Sequence, residues 1–458
     1  MRQFLYMLAI LVSATPKAFA QEDALDRIPT IAPLTQEKPA RARVLSGSAY
    51  AGNAVEYFST RDSLPVNLPV SATPDWLDKA FLDGRASVRI NTRLRVVVSD
   101  RFSAIAQLHE KLPVDGDYRN DLREAYVEWR PAPSLAFEAG RVNVRYGVGY
   151  AFAPTDFLRS RAIADTLSSD PSAQRTDRLG VFMLRGEYFF SRGAVDVLYA
   201  PKLADPTPLL TSASTFNLGA GRTNGADRVI ASAHYSIARD FDPQFVAYYD
   251  GNRWSGGVSI THALGDNITL YAEWAGGKAA SLFSRAFSFG VDTGTFPDSV
   301  LQLSVGNDDT TFRNAVSAGF SYQTANKINL IVEYNYYGGG FSSYDWAQWF
   351  ASGMQTNLNG ELWYVRDFAR DQTIPLSRNR VFIRLARDDA FLKNITLSAF
   401  ALVNAGDGSV VGQFEADYKF SQKWSATFIA QTYTGATHSE YGSLPIASSA
   451  ILSLQRSF

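Results

Sequence analysis

From about residue 44 to the C-terminus the chain consists of short stretches in which apolar and polar side chains alternate, separated by Gly, Asn, Asp and Pro. Successive side chains of a strand project to opposite faces, so each stretch predicts a strand with one apolar and one polar face. The segment 85–98 shows this best. Ala86, Val88, Ile90, Thr92, Leu94, Val96 and Val98 fall on one face, and Arg85, Ser87, Arg89, Asn91, Arg93, Arg95 and Val97 on the other. The alternation predicts a single strand here, turning at Ser99, Asp100 and Arg101 into a second strand over 102–112.

Seven further pairs follow. Segments 122–130 and 135–146 meet at 131–134, 179–190 and 194–200 at 191–193, and 228–238 and 244–250 at 239–242. Segments 254–264 and 268–275 meet at 265–267, 314–323 and 328–337 at 324–327, 379–386 and 394–403 at 387–390, and 410–420 and 424–433 at 421–423. With unpaired alternating segments at 44–58 and 446–458, eight hairpins predict an all-β, antiparallel up-and-down barrel of about 18 strands (16–18). A propeller is the competing all-β reading, but no period of 40 to 50 residues recurs.

Connections between hairpins are much longer than the turns within them: 147–178, 201–227, 276–313 and 338–378. Short turns at one end and long loops at the other is the asymmetry of transmembrane barrels, whose short turns face the periplasm and whose long loops are extracellular. One stretch, 287–305, reads either as an extra hairpin or as part of an elaborated loop, and 343–354 can form a short helix whose Trp346 and Trp349 pack either inside the pore or, as the simpler reading, loop to loop.

The first twenty residues have a different pattern. Arg2, an apolar run over 4–12 and Ala18-Phe19-Ala20 predict a cleaved signal peptide over 1–20. Pro29, Pro33 and Pro39 in a polar context predict a flexible periplasmic arm over 21–43, which leaves 44–458 for the barrel. Beyond residue 20 no stretch approaches the roughly 20 apolar residues of a membrane-spanning helix.

Composition narrows the chemistry. The chain has 44 Lys+Arg, 45 Asp+Glu and no cysteine, which excludes disulfide scaffolds and thiol chemistry and argues against a nucleic-acid partner. His109, His234, His262 and His438 lie far apart without metal-ligand spacing, and no nucleophile elbow accompanies them. No enzyme activity, cofactor or metal is therefore expected.

The polar faces suggest a pore wall instead. Arg85, Arg89, Arg93 and Arg95 form a cationic ladder that Arg380 and Arg384 repeat, while Glu124, Glu128, Glu138, Asp196, Glu273, Glu333, Glu415 and Asp417 place acids on the corresponding face elsewhere. Opposed cationic and anionic walls would create a transverse field that sorts solutes by charge. Simple cross-strand ion pairing, for example of Glu124 and Glu128 with neighbouring arginines, is the alternative. Trp129, Tyr188, Phe190, Trp254, Trp274, Tyr334, Tyr418, Phe420 and Trp424 are expected outside, near strand ends, as interfacial girdles.

Gly140-Arg141, Arg145-Tyr146-Gly147-Val148-Gly149-Tyr150 and Asp156 form the most distinctive run. The glycines permit a sharp inward bend, so Gly147, Gly149 and Asp156 are expected in a loop constriction and Arg145 in the lumen. This run resembles the Gly-Arg strand end and glycine-rich loop entry of several large outer-membrane channels, including alginate-export-type barrels. The final segment, with Leu452, Leu454 and Phe458 on one face, resembles the C-terminal strand signal of outer-membrane β-barrel proteins; Arg456 departs from that pattern.

These resemblances imply a porin-like barrel in the outer membrane of a Gram-negative bacterium. It would be inserted by the barrel-assembly machinery and contact outer-membrane lipid and lipopolysaccharide. The expected function is diffusion of small hydrophilic, anionic solutes. Export of an acidic polysaccharide and a plugged structural or adhesive barrel are the alternatives, and the oligomeric state is left open.

Overall fold

A computed structural model describes residues 45–61, 76–109, 112–164, 167–209, 218–238, 240–297, 309–353 and 359–458. The expected signal peptide and the arm over 21–43 lie outside the described residues. The first nine strands are β1 Leu45–Thr60, β2 Trp76–Arg89, β3 Leu94–His109, β4 Leu112–Ala132, β5 Leu135–Val142, β6 Val181–Phe190, β7 Gly193–Ala200, β8 Arg228–Tyr235 and β9 Gln244–Tyr249. The second nine are β10 Trp254–Leu264, β11 Ile268–Ala279, β12 Thr311–Gln323, β13 Ile328–Tyr337, β14 Asn379–Asp388, β15 Ile395–Asn404, β16 Val410–Lys419, β17 Trp424–Thr434 and β18 Ile446–Ser457.

Each strand pairs antiparallel with its sequence neighbours, and β1 also pairs with β18, so a single 18-stranded sheet closes on itself. Closure leaves no strand edge unpaired. The last N–H of the chain completes the seam, Phe458 donating to the Ala49 carbonyl at 2.9 Å.

Seven of the eight hairpins lie where the alternation placed them; the first does not. β2 ends at Arg89, residues 90–93 make the turn, and Arg95 stands opposite Arg89 in β3. The segment 85–98 is thus two strand ends around a turn. Partners in this hairpin have residue numbers of equal parity, so the odd-even pattern runs through the turn undisturbed and conceals it. Ser99, Asp100 and Arg101 lie inside β3, where the register against β4 shifts between Ser99 and Asp100, so the polar triplet marks a bulge.

Among the described residues five helices lie in the connections at the loop end: α1 Pro171–Thr176, α2 Ala220–Thr223, α3 Leu282–Asp292, α4 Ser343–Gly353 and α5 Asn359–Asp371. The segment 287–305 therefore belongs to an elaborated loop. Ser342 and Asp345 start α4 as a reciprocal cap, the Asp345 N–H donating to Ser342 Oγ and the Ser342 N–H to Asp345 Oδ2. Phe287, Phe341, Trp346, Trp349, Leu362 and Phe368 join α3, α4 and α5 in one apolar cluster, and the Arg366 guanidinium lies 4.9 Å from the centre of the Trp363 ring and over Trp346 and Trp349. Loop-to-loop packing is thus where Trp346 and Trp349 sit.

The barrel's outer face is apolar. All nine aromatics expected in girdles are exposed there, Trp129, Tyr188, Phe190, Tyr418, Phe420 and Trp424 toward the turn end and Trp254, Trp274 and Tyr334 toward the loop end. Inner-face positions such as Asp83, Arg101, Glu128, Glu273, Glu333 and Gln413 are polar and buried. The segment 143–180, between β5 and β6, folds into the lumen and covers part of this face, with Glu273, Glu333 and Gln413 against it.

Candidate functional site

Gly140 has a positive φ of 125° within β5, and the register against β4 and β6 runs on through Arg141; the chain leaves the wall after Val142. Arg141 then points away from any open lumen. It is fully buried, donating to the Gly180 carbonyl at 3.0 Å and to Thr223 Oγ1 at 3.3 Å, with its guanidinium over Phe182.

From Tyr146 the loop crosses to the opposite wall, where two carboxylates receive it. Glu273 of β11 accepts from the N–H groups of Val148 at 2.8 Å, Gly149 at 3.0 Å and Thr155 at 2.6 Å, and from Thr155 Oγ1 at 2.7 Å. Glu333 of β13 accepts from Tyr150 at 2.6 Å, Ala151 at 3.1 Å and Phe152 at 3.2 Å, and from Tyr271 Oη and Asn335 Nδ2. Six successive or nearby amides are thus satisfied by two charges, which is how irregular backbone survives in a buried position. Gly147 has φ +76° and a Cβ there would overlap the Glu273 carboxylate, so only glycine fits at that crossing. Gly149 carries one of the N–H groups that Glu273 accepts, and a Cβ on it would overlap the Phe152 carbonyl.

The loop's own frame is ionic. Asp156 accepts from Arg178 Nη1 at 2.8 Å and Nη2 at 3.2 Å, and Arg175 donates to the carbonyls of Gly149 and Tyr146. The return limb is tied to a third stretch of wall: Arg384 Nε donates to Asp170 Oδ2 at 2.7 Å, Ser168 Oγ to Glu415 Oε2 at 2.9 Å, and the Ser169 N–H to Gln413 Oε1 at 2.9 Å. Burial pushes the Asp170 carboxyl up, but Arg384 and the Ser172 donors outweigh it and hold it below the ordinary carboxylate value.

Two cavities flank the loop. One, about 300 Å³, lies on the turn side, lined by Tyr126, Tyr271 and a charged set of Arg145, Arg175, Arg185, Glu124 and Glu138. The other, about 680 Å³, lies on the loop side under α3, with Arg161, Arg222, Arg228, Arg253 and Arg285 against Asp250, Asp292 and Asp309.

The expected ladder does not exist as one row. Arg85 faces in from β2 and pairs with Glu124 at 2.9 Å, and Arg95 faces in from β3 and pairs with Glu128 at 2.9 Å, which also meets Arg130. Arg89 stands inward at the very end of β2, and Arg93 lies in the turn rather than on a lumen-facing strand position. Among the described residues neither of these two has a carboxylate at ion-pair distance, nor does Arg145, which is exposed in the turn-side cavity. Arg380 faces in from β14 opposite Asn404, and Asp417 accepts from Thr427 Oγ1 at 3.0 Å across β16 and β17.

The alternation identified Glu273 and Glu333 only as members of an acidic face. Gly319, which it passed over, stands between Tyr271 and Glu333 in the register, and a Cβ there would lie 2.7 Å from Tyr271 Oη. A glycine at the centre of a predicted strand, between Ala318 and Phe320, was the available signal.

No family model and no curated protein sequence matches the chain. Solved structures do match it. Pseudomonas aeruginosa OccK11 (OpdR) aligns over 90% of this chain and 96% of its own with a TM-score of 0.51 at 10% identity. Acinetobacter baumannii OccAB1 gives the same coverage, TM-score and identity, and Pseudomonas aeruginosa OpdL aligns over 90% and 98% with a TM-score of 0.51 at 8% identity. The chain has the fold of the outer-membrane porins. At this identity the porin likeness is one of fold, and the porin-fold chain's own loop, anchors and cavities carry any argument about solutes.

Proposed function

We propose that the protein is a channel of the Gram-negative outer membrane, not an enzyme, through which small hydrophilic solutes diffuse, with a preference for anions. The apolar outer belt with aromatics toward both ends supports the membrane location. The observation that carries the charge preference is that Arg145 in the turn-side cavity and Arg228, Arg253 and Arg285 in the loop-side cavity have no carboxylate at ion-pair distance among the described residues, whereas Arg161, Arg175, Arg185 and Arg222 are paired. In a narrow, low-dielectric passage such arginines raise the local concentration of anions and repel cations. The ion pairs Arg85–Glu124 and Arg95–Glu128 balance charge along the wall and contribute little net field.

The test is to insert the full chain into a planar bilayer and record conductance and reversal potential in a salt gradient. Open steps with a reversal potential on the anion side support the reading; cation preference overturns the charge assignment. The loop's anchorage on three stretches of wall favours a second reading, a barrel closed by its own loops. A heat-modifiable barrel that shows no conductance at any voltage would select it.

A further inference from the structure

The turn end of the barrel is unevenly charged. The chain has ten lysines, and four of them, Lys327, Lys393, Lys419 and Lys423, stand in or beside the three consecutive turns that join β12 to β13, β14 to β15 and β16 to β17. The turns joining β8 to β9 and β10 to β11 carry Asp240, Asp242 and Asp266 and no lysine.

The lysine-bearing arc also displays apolar side chains on a braced frame. In the turn 389–394, Asp389 accepts from the Asn394 N–H at 2.9 Å and from Lys327 Nζ at 2.8 Å, and the Ala390 N–H donates to the Ile395 carbonyl at 3.1 Å. The Lys419 N–H donates to the Asn394 carbonyl at 3.1 Å and ties this turn to β16. At its tip Phe391 and Leu392 are 56% and 60% exposed. Beside it Tyr418, Phe420, Trp424 and Phe458 are exposed as well, and the Arg456 guanidinium lies 5.6 Å from the Trp424 ring and 5.1 Å from the Phe458 ring. Lys393, Lys419 and Lys423 are exposed, and among the described residues none has an ion-pair partner.

A rigid turn that holds Phe and Leu outward, ringed by unpaired lysines, suits a boundary that is apolar on one side and anionic on the other. A phospholipid surface is such a boundary: the apolar tip enters the acyl margin while the ammonium groups meet phosphate. We propose that the arc from β12 to β18 binds anionic phospholipid of the leaflet on the turn side, with Lys393, Lys419 and Lys423 on the headgroups and Phe391 and Leu392 at the acyl boundary. The proposal rests on the membrane reading above and specifies which lipid that membrane offers and where.

The full chain is reconstituted into nanodiscs of equal phosphatidylglycerol and phosphatidylcholine, and the lipids retained after detergent extraction are counted by native mass spectrometry. Insertion is scored first, by heat-modifiable migration. The wild-type protein is expected to retain phosphatidylglycerol about tenfold over phosphatidylcholine, and the variant Lys393→Gln/Lys419→Gln/Lys423→Gln to fall to within about twofold of parity. The charge-conserving variant Lys393→Arg/Lys419→Arg/Lys423→Arg keeps the enrichment, and Phe391→Ser/Leu392→Ser lowers it severalfold. If the Gln triple fails to insert, the Arg triple and the Ser pair still decide: loss with Arg, or no loss with Ser, overturns the proposal. Equal enrichment in wild type and the Gln triple overturns it while leaving the channel reading intact. A change of oligomer mass with unchanged lipid would assign the arc to a second copy and overturn it too. A wild-type chain that never inserts defeats both readings.

Discussion

The backbone N–H of Tyr150 donates to Glu333 Oε2 at 2.6 Å, joining a loop to a wall strand 183 positions further along the chain. Ala151 and Phe152 donate to the same carboxylate, so one side chain holds three consecutive amides. Glu333→Ala removes the shared acceptor, and a buried amide without a partner costs about 1–3 kcal/mol. The loop is expected to leave the wall rather than bear that cost. Single channels of Glu333→Ala should therefore be larger and noisier than wild type, with heat-modifiable migration retained. Unchanged conductance would show that the loop does not limit the path.

The return limb gives a pH dependence. Asp170 is held below the ordinary carboxylate value although burial alone would raise it, because Arg384 and the Ser172 donors favour its charged form. A carboxyl lowered in the folded state contributes stability that is present above its unfolded value, about 3.9, and is lost as pH falls through the lowered folded value. The loop should stay anchored at pH 5 and loosen only in stronger acid. In Arg384→Ala only the Ser172 donors still oppose burial, so Asp170 takes up its proton at higher pH than in the wild type and loosening moves toward neutrality. Open-channel noise recorded from pH 7 to pH 3 reads both transitions.

How much of this was legible in the sequence depends on the range of the interaction. Strands and seven turns followed from alternation because side-chain facing is a local property of the chain. The first turn was hidden because Arg89 and Arg95 share parity across four connecting residues. The inward loop was announced by Gly147 and Gly149, whose purpose is local, the freedom to bend. Its anchors were not, since Glu273 and Glu333 bind backbone N–H groups that any sequence possesses, more than 110 residues away. Likewise the charges of Arg85 and Glu124 were visible, while their pairing needed the register of three strands.

Charge preference should be carried by unpaired arginines in the confined part of the path. Arg145 lies in the turn-side cavity without an ion-pair partner among the described residues, whereas Arg89 is exposed at the turn end of β2, where the same charge acts through a higher dielectric. Arg145→Glu is therefore expected to move the reversal potential toward cations more than Arg89→Glu does. An equal shift from both would place the selective region at the mouth.

Freeing a paired arginine should act in the opposite direction. Glu124→Gln leaves Arg85 without its carboxylate at 2.9 Å and removes one of the two acids lining the turn-side cavity. Anion preference should rise. Stability should change by no more than about 1 kcal/mol, because the Arg85 side chain is 54% exposed and water already screens the pair. A large loss of thermal stability would mean that the pair braces the wall rather than merely balancing charge.

The C-terminal strand separates packing from assembly. Leu452 and Leu454 are exposed on the outer face, and Phe458 and Arg456 share that face, Arg456 directly opposite Trp424 in the register. A cation over two aromatic rings at a membrane boundary keeps its charge in water while its stem covers apolar surface, so Arg456 fits a position where an apolar residue was expected. Arg456→Leu should then insert and migrate as wild type does. Phe458→Ala removes the ring under Arg456 and the terminal aromatic of the expected assembly signal, while the Phe458 N–H to Ala49 carbonyl bond at 2.9 Å survives because it is backbone. If the assembly machinery reads the ring, Phe458→Ala should slow the appearance of the heat-modifiable form in cells severalfold yet refold normally from urea into detergent. Equal slowing in both settings would assign the ring to barrel closure instead.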